Sequence, residues 1–180
     1  SHMSMMPLEE YPEVVWLKKT PTEGQSITTS KIVEKIEDDT SILLSACDNG
    51  ALYDSDKFAD LIEDQNNDIV VWSYRNNYTA HHNPNMYSWL EVDQNDTIKK
   101  VNVKKFTGEN PVDEYAIVGT MFFRDKNVYN KSLIKLFEMG EKVNGEFYVD
   151  SLLNAAIDLG YTVKNFEIDH YICWGTPNDL

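Results

Sequence analysis

The feature that most constrains the fold of this chain is a pair of short apolar runs with a helical pattern between them. Residues 42–47 and 68–73 are apolar stretches flanked by polar residues, a pattern typical of strands buried on both faces in a parallel sheet. The helical pattern between them starts at Ser55, a residue that favours helix N-termini. An apolar run at 14–17 and a helical pattern at 26–36 come earlier. This alternation predicts an α/β sheet.

The second half of the chain predicts further strands and helices. Polar residues 93–96 separate two strand-like segments, at 86–92 and 98–103, which indicates a hairpin. The remaining predicted elements are a strand at 115–123, helices at 128–139 and 148–159, and strands at 161–168 and 171–174. The side chains expected to face the core are Ile27, Ile32, Val33 and Ile36 in the helix at 26–36, and Leu133, Ile134, Leu136 and Phe137 in the helix at 128–139.

The composition limits the classes of function that the chain can have. Its 180 residues suit one domain, and a hydrophobic content of 42% indicates a packed core. The net charge of -14 disfavours nonspecific binding to nucleic acid or to an anionic membrane surface. We recognise no secretory signal and no apolar run near the roughly 20 residues that cross a bilayer. Cys47 and Cys173 are typical of reduced, buried thiols, which predicts a cytoplasmic protein. The acidic charge and the lack of a long apolar run predict that it has no nucleic-acid or membrane partner.

The two ends of the chain bear on its domain boundaries. Residues 1–3 have the sequence of a cloning scar left after tag removal. At the other end, Leu180 comes directly after a short motif. We therefore expect residues 4–180 to be the C-terminal part of a single larger domain.

Two aspartates that follow strand-like runs are candidate metal ligands. Asp48 ends the run at 42–47, at the edge where open α/β sheets bind ligands. Asp169 lies between two apolar segments near the C-terminus. Mg²⁺ takes one or two carboxylates from protein and leaves its other positions for phosphates and water. The alternative for Asp48 is an ordinary Asp-Asn-Gly turn, and for Asp169 it is a surface carboxylate at a bend.

Two pairs of residues are of types suited to a phosphate. Lys104 and Lys105 follow a predicted strand, where a lysine can neutralise a phosphate as a point charge. A solvated pair of lysines is the alternative. Gly24 and Gln25 open a predicted helix, where free N–H groups can meet a phosphate or a base. A simple turn also explains them.

Acidic residues near the helix at 148–159 have two explanations. Glu146 precedes this helix, and Asp150 lies in its first turn. Carboxylates at a helix N-terminus complement the helix dipole, which is the structural explanation. The functional alternative is that they accept hydrogen bonds from sugar hydroxyls.

Seven short segments are uninformative singly, but their order along the chain is informative. They are Pro-Thr-Glu-Gly-Gln from 21, Ser-Ala-Cys-Asp-Asn-Gly from 45, Asn-Pro-Asn-Met-Tyr-Ser-Trp from 83, Val-Lys-Lys from 103, Ala-Ile-Val-Gly-Thr-Met-Phe-Phe from 116, Asn-Gly-Glu-Phe-Tyr-Val-Asp from 144 and Cys-Trp-Gly-Thr-Pro from 173. In this order they resemble the sugar-phosphate nucleotidyltransferase family, most closely the branch found in bacterial capsule and lipopolysaccharide loci. The resemblance covers nearly the whole chain from about residue 14.

This resemblance implies a fold and a reaction. Family members have a Rossmann-like mixed sheet flanked by helices, of the nucleotide-diphospho-sugar transferase type. They join an NTP to a sugar 1-phosphate and release pyrophosphate, with Mg²⁺ as cofactor. The implied partners are therefore an NTP and a sugar phosphate.

The resemblance also implies roles for single residues. The implied roles are metal and nucleotide binding for Asp48, catalytic contact with the sugar phosphate for Lys105, nucleotide binding for Gly24 and Gln25, and sugar binding for Gly119, Glu146 and Asp150. Phe106 stands where the family usually has proline. The second metal aspartate of the family usually lies two residues before the final Gly-Thr, where this chain has Cys173, so we transfer that role to Asp169.

The family's N-terminal glycine-rich loop has no counterpart in this sequence. In the family that loop, with an arginine and a lysine after it, binds the triphosphate and positions it for in-line attack. Here Gly24 is the only glycine before Gly50. We therefore expect a sheet that is incomplete at its N-terminus and a chain that is inactive alone. Two other classes stay open, namely a glycosyltransferase with a nucleotide-sugar donor and a non-catalytic domain that dimerises through an exposed sheet edge.

Overall fold

A computed structural model describes residues 22, 24–76 and 78–175 of the chain. The strand expected at 14–17 lies outside the described residues, as does the Thr-Pro end of the last motif. In chain order the elements are α1 (Gln25–Val33), β1 (Ile42–Leu44), β2 (Asn49–Leu52), α2 (Ser55–Glu63), β3 (Ile69–Tyr74), β4 (Trp89–Val92), β5 (Ile98–Asn102), β6 (Tyr115–Phe123), α3 (Lys126–Met139), α4 (Ser151–Asp158), β7 (Val163–Glu167) and β8 (His170–Cys173), with short 3-10 turns at Tyr78–His81 and Pro84–Met86.

Six strands form one mixed sheet, which confirms the predicted α/β fold. The strand order is β5-β4-β6-β3-β7, and β1 pairs with β6. Within this sheet β3 and β7 are parallel, whereas the other pairings are antiparallel. The two remaining strands, β2 and β8, form a separate antiparallel ribbon. None of the helices in the described ranges is long and apolar enough to cross a membrane.

The two apolar runs that predicted the sheet have different places in it. The run at 68–73 becomes β3, whose six residues are all buried, as predicted. The run at 42–47 yields only the three-residue strand β1, and Leu43 in it is 54% exposed. Among the described residues β1 pairs on one side only, antiparallel to β6. The prediction of a strand buried on both faces in a parallel pairing was therefore wrong for β1.

The sheet separates two hydrophobic clusters. One face is covered by α1, α3 and α4, which contribute residues such as Val33, Leu136 and Leu152. The other face is covered by α2 and by the ribbon of β2 and β8. The outline of each helix follows the predicted pattern, but Ile32, Ile134 and Phe137 are 41%, 58% and 40% exposed and do not face the core.

Helix periodicity explains one of these differences, and a side-chain cap explains a difference at the start of α2. In α3 the buried positions include Tyr129, Leu133 and Leu136, and Ile134 lies one residue, about 100°, off this stripe. At the start of α2, Asp54 and not Ser55 is the N-cap, since its carboxylate accepts from the backbone N–H groups of Asp56 and Lys57.

Both outer edges of the five-strand path are covered. The side-chain amide of Asn154 in α4 exchanges two hydrogen bonds with the backbone of Val101 in β5, at 2.8 and 2.9 Å. At the opposite edge the β4–β5 turn reaches β7, where the Asn165 N–H donates to the carbonyl of Asp96 at 2.8 Å. In the described part of the large sheet, β1 is therefore the strand whose outer edge stays uncovered.

The β4–β5 turn is organised by Asp93. Its Oδ1 accepts hydrogen bonds from the N–H groups of Asn95 and Thr97, at 2.8 and 3.0 Å. Its Oδ2 pairs with the ammonium group of Lys99 at 2.8 Å. The Lys99 contact, followed by the two backbone N–H groups, lowers the pKa of Asp93 to about 2. The hairpin predicted around 93–96 is thus confirmed, with an aspartate that is ionised through most of the acid range.

Replacing this aspartate gives a pH-dependent prediction. Because the pKa of Asp93 is lower in the folded chain, its stabilisation is present above its ordinary value of 3.8 and is lost as the pH falls toward about 2. We expect Asp93→Ala to lower the urea midpoint at pH 7, and the difference from wild type to shrink between these two pH values. The control is Glu109→Ala, which removes an exposed carboxylate. A difference that stays constant with pH would contradict this role of Asp93.

Candidate functional site

A cleft of about 1450 Å³ opens beside β6. On one side β6 pairs with β3 at both of its ends. On its other side β6 pairs with β4 at Tyr115 and Ala116 and with β1 from Met121 to Phe123. Between β4 and β1 the residues 117–119 of β6 line the cleft. The cleft thus lies where two strands share one side of a third and leave a gap.

Loop residues take over the hydrogen bonds of β6 across this gap. The Ala46 N–H donates to the carbonyl of Gly119 at 3.0 Å, and the Asn49 side-chain amide donates to the carbonyl of Val118 at 2.9 Å. Gly119 has a φ of 96°, and a Cβ there would lie 3.1 Å from the Cβ of Ala46. The predicted substrate residue Gly119 therefore lets the loop that carries Asp48 approach the sheet closely.

Asp48 lies at the cleft beside the ribbon. Its backbone carbonyl accepts from the Trp174 N–H at 3.1 Å, and its side chain is exposed and lines the cleft. Gly175 leaves space next to this carboxylate, because a Cβ there would come within 3.0 Å of Asp48 Oδ2. The carboxylate accepts no hydrogen bond from the described residues and is open to a ligand.

The second predicted metal ligand, Asp169, is elsewhere. Its N–H donates to the carbonyl of Leu52 at 2.9 Å, so it lies beside the far end of β2, about 10 Å along the strand from Asn49. It is exposed and does not line the cleft. Cys173, which is paired with Asn49 in the ribbon, does line it. The structure therefore does not bring Asp48 and Asp169 together.

The lysine pair is divided between the cleft and the solvent. Lys104 lines the cleft, and its Nζ donates to the carbonyl of Met86 at 2.5 Å. The predicted catalytic residue, Lys105, is exposed and is not among the cleft residues. The next residue, Phe106, packs against Trp89 with ring centroids 4.8 Å apart. Lys104 has a φ of 51°, and this change of chain direction turns the first lysine of the pair toward the cleft.

Asp150 and Glu146 both line the same cleft as Lys104. The hydroxyl of Ser88 donates to Asp150 Oδ2 at 2.5 Å. Burial raises the pKa of Asp150, while the Ser88 hydrogen bond and the charge of Lys104 oppose that increase. Glu146 lies on a tight turn whose ends, at Val143 and Glu146, exchange two backbone hydrogen bonds of 3.0 Å. Two carboxylates and one ammonium group therefore meet in one cleft.

The start of α1 lines the cleft beside Glu146. Gly24 and Gln25 line the cleft, and the Ser26 N–H donates to the carbonyl of Phe147 at 3.1 Å. Gly24 packs directly against Phe147, since a Cβ on Gly24 would lie 2.6 Å from the Phe147 carbonyl oxygen. The N-terminus of α1 is thus fixed beside the turn that carries Glu146.

Three further cleft residues had no role in the sequence-based prediction. Ser88 and His82 line the cleft. Ser88 lies in the motif segment that starts at residue 83, but neither residue was assigned a role from the sequence. Tyr171 also lines it and stacks on Tyr74, with ring centroids 4.1 Å apart. Burial raises the pKa of Tyr171 above its ordinary value. The alternation along β8, which points Tyr171 and Cys173 the same way, is a signal that could have identified Tyr171.

The charges in the cleft are unequal. Asp48, Glu146 and Asp150 are acidic, whereas Lys104 is the only lysine or arginine among its described residues. One lysine suits a phosphate monoester better than a triphosphate. Within the described ranges, no group of three or more His, Cys, Asp or Glu side chains is arranged to hold a metal ion.

Comparison with known proteins identifies the fold. No protein-family model and no curated protein matches the sequence. Among solved structures, a nucleoside-diphosphate-sugar pyrophosphorylase from Vibrio cholerae RC9 has a TM-score of 0.62 at 17% identity, over 89% of this chain and 64% of that one. The inositol-1-phosphate CTP transferase of T. maritima has a TM-score of 0.63 at 18% identity, over 88% of this chain and 58% of that one.

A third solved structure agrees with these two. A protein from Bacillus anthracis assigned as a glucose-1-phosphate thymidylyltransferase, solved with a sucrose, has a TM-score of 0.66 at 16% identity. The match covers 89% of this chain and 59% of that one. The chain thus spans about three fifths of the length of these structures. At these identities the likeness shows that the chain has the mixed α/β fold of nucleotidyltransferases.

Proposed function

We propose that this chain is part of a sugar-phosphate nucleotidyltransferase and contributes the part of the site that binds the sugar phosphate. The observation that carries this proposal is the placement of Lys104 in the same cleft as Glu146 and Asp150. An ammonium group suits a phosphate, and carboxylates suit sugar hydroxyls as hydrogen-bond acceptors. The fold shared with nucleotidyltransferases supports the same class. The bacterial capsule or lipopolysaccharide branch is a finer proposal that depends on the sequence resemblance.

The roles of individual residues follow from their placement. We assign the phosphate to Lys104 in place of Lys105, and the sugar hydroxyls to Glu146 and Asp150. Gly24 and Gln25 then border the nucleotide at the start of α1, where helix N–H groups without an intrahelical acceptor can meet a phosphate. Gly119 allows the loop that carries Asp48 to lie close to β6.

Mg²⁺ is the cofactor that the proposal includes, and Asp48 is the residue suited to it. Its carboxylate faces the cleft, and the absence of a Cβ at Gly175 leaves room beside Oδ2. One carboxylate is enough when phosphates and water supply the other ligands. When bound, Mg²⁺ would neutralise phosphate charge. The placement of Asp169 supports no second ligand from that residue.

We also propose that the chain is inactive by itself, in the cytoplasm, and that it dimerises through the uncovered edge of β1. Inactivity follows from charge, because a triphosphate needs more neutralisation than one lysine provides. The proposal of edge pairing is based on β1, which among the described residues pairs on one side only, whereas the outer edges of β5 and β7 are covered. The chain would then need further residues to complete the nucleotide side of the site.

A pyrophosphate-release assay tests the proposed inactivity, and binding calorimetry tests the proposed function. The chain is mixed with each NTP, Mg²⁺ and a panel of hexose 1-phosphates and inositol 1-phosphate, with an active nucleotidyltransferase as positive control. We expect no release above background but saturable binding of at least one sugar phosphate by calorimetry. Pyrophosphate release would contradict the proposed inactivity. Binding of no sugar phosphate would contradict the proposed function.

A further inference from the structure

Ser88 connects three parts of the cleft wall. Its side chain is almost fully buried, at 2% exposure. Its backbone carbonyl accepts from the Ile117 N–H at 2.9 Å, which is where β6 leaves β4 and the gap begins. Its hydroxyl donates to Asp150 Oδ2 at 2.5 Å and accepts from the Lys104 N–H at 3.3 Å. One serine therefore joins the central strand, the acidic residue and the backbone of the lysine.

Asp150 is free to take part in this network because its own helix does not use its side chain. Asp150 is the N-cap of α4, but its carboxylate makes no capping hydrogen bond. Tight-turn bonds satisfy the first helical N–H groups instead, with Ser151 donating to Tyr148 at 3.2 Å and Leu152 donating to Val149 at 2.9 Å. The carboxylate is thus directed toward Ser88 and the cleft.

Lys104 is fixed by the same segment. Its backbone is in the left-handed region, its N–H donates to Ser88 Oγ, and its Nζ donates to the Met86 carbonyl. Its ammonium group also lies 5.6 Å from the centre of the Tyr148 ring. Both ends of Lys104 are therefore attached to the residues just before β4.

We propose that Ser88 is a positioning residue that holds Asp150 as a hydrogen-bond acceptor at the cleft and keeps it close to Lys104. Lys104 needs its left-handed backbone to face the cleft, and the Ser88 hydroxyl stabilises that conformation. The hydroxyl also favours the ionised form of Asp150, since hydrogen bonds to a carboxylate stabilise its charge. The significance for sugar-phosphate binding depends on the proposed function, whereas the link between Ser88 and Asp150 does not.

The proposal predicts a change in the titration of Asp150. The other titratable groups that line the cleft are Cys47, Asp48, His82, Tyr87, Lys104, Glu146, Tyr171 and Cys173. Among them, Lys104 acts on Asp150 in the same direction as Ser88. Without the hydroxyl, the effect of burial on Asp150 is opposed by Lys104 alone, so the titration midpoint of Asp150 should rise.

Carbon-13 NMR of the side-chain carboxyl groups measures this midpoint in the whole chain. The Asp150 signal is assigned by its loss in Asp150→Asn. We expect Ser88→Ala to raise the midpoint, Ser88→Thr to restore it, and Ser132→Ala to leave it unchanged. Ser132 is the matched control because it is a buried serine that donates to the Val128 carbonyl within α3. An unchanged midpoint in folded Ser88→Ala would overturn the proposal.

Two further measurements distinguish a failure of the link between Ser88 and Asp150 from a failure of the proposed function. In wild type, the Ser88 Cβ signal should titrate with the midpoint of Asp150, which decides the question even if Ser88→Ala does not fold. A Ser88 signal that is insensitive to that titration overturns the link. In calorimetry with glucose 1-phosphate and inositol 1-phosphate, the pH profile of affinity should move upward with the Asp150 midpoint. If neither compound binds wild type while the NMR shift occurs, the proposed function fails and the positioning role of Ser88 stands.

Discussion

Replacing Lys104 by methionine is expected to lower the affinity of the chain for a sugar 1-phosphate by about tenfold to a hundredfold. The variant keeps most of the side-chain volume but removes the only ammonium or guanidinium group among the described cleft residues. Hydrogen bonds to charged groups contribute about 1.5–3 kcal/mol, and each 1.4 kcal/mol changes a dissociation constant about tenfold. Isothermal titration calorimetry with the sugar phosphate that binds wild type most tightly measures the change.

The neighbouring lysine is the matched control for this prediction. Lys105→Met makes the same chemical change one residue later, on an exposed side chain outside the cleft. We expect its affinity to stay within about twofold of wild type, because screening weakens exposed charges. If Lys105→Met lost affinity and Lys104→Met did not, the role inferred from the family resemblance would be right and the placement in the cleft would be misleading.

The second large effect is expected at Gly24. Gly24 has φ 132° and ψ 172°, a backbone region that is almost restricted to glycine and costs other residues about 1–3 kcal/mol. A Cβ at this position would also lie 2.6 Å from the backbone oxygen of Phe147, and overpacking adds a similar amount. Gly24→Ala should therefore lower the free energy of unfolding by about 2–6 kcal/mol, measured by urea denaturation.

Gly160→Ala separates the two causes of this loss. Gly160 also has a positive φ, of 86°, but a Cβ there would meet nothing within 4 Å. We expect a loss of only about 1–2 kcal/mol, which is the cost of a left-handed backbone for alanine. Equal losses in the two variants would show that the contact between α1 and Phe147 contributes little.

Most of the fold could be predicted from the sequence because its apolar patterns are long or complete. The run at 115–123 is apolar except at Gly119 and Thr120 and becomes β6 with those bounds, and the turn signal at 93–96 correctly predicts the β4–β5 hairpin. The apolar run at 42–47 was misleading, since three apolar residues suffice for an edge strand. An apolar run indicates that a strand forms, but the strands that pair with it depend on residues that are distant in sequence.

Most residues of the candidate site could be predicted from the sequence, but some could not. Gly24, Gln25, Asp48, Gly119, Glu146 and Asp150 all line the cleft. The choice of Lys105 over Lys104 depended on matching segments, and it could not include the left-handed backbone of Lys104. The transfer to Asp169 likewise lacked the register of the ribbon, which puts Cys173 opposite Asn49. Ser88 lies in a motif segment, but its role could not be predicted, because that role arises from contacts between residues 16 and 62 positions apart.

We propose above all that the cleft between β1 and β4 binds a sugar phosphate. An NMR titration of the isotope-labelled wild-type chain with hexose 1-phosphates and inositol 1-phosphate tests it most directly. We expect saturable shifts of the backbone signals of Lys104, Glu146 and Asp150 for at least one compound. The proposal would be contradicted if no compound caused saturable shifts, or if the shifts clustered away from these residues.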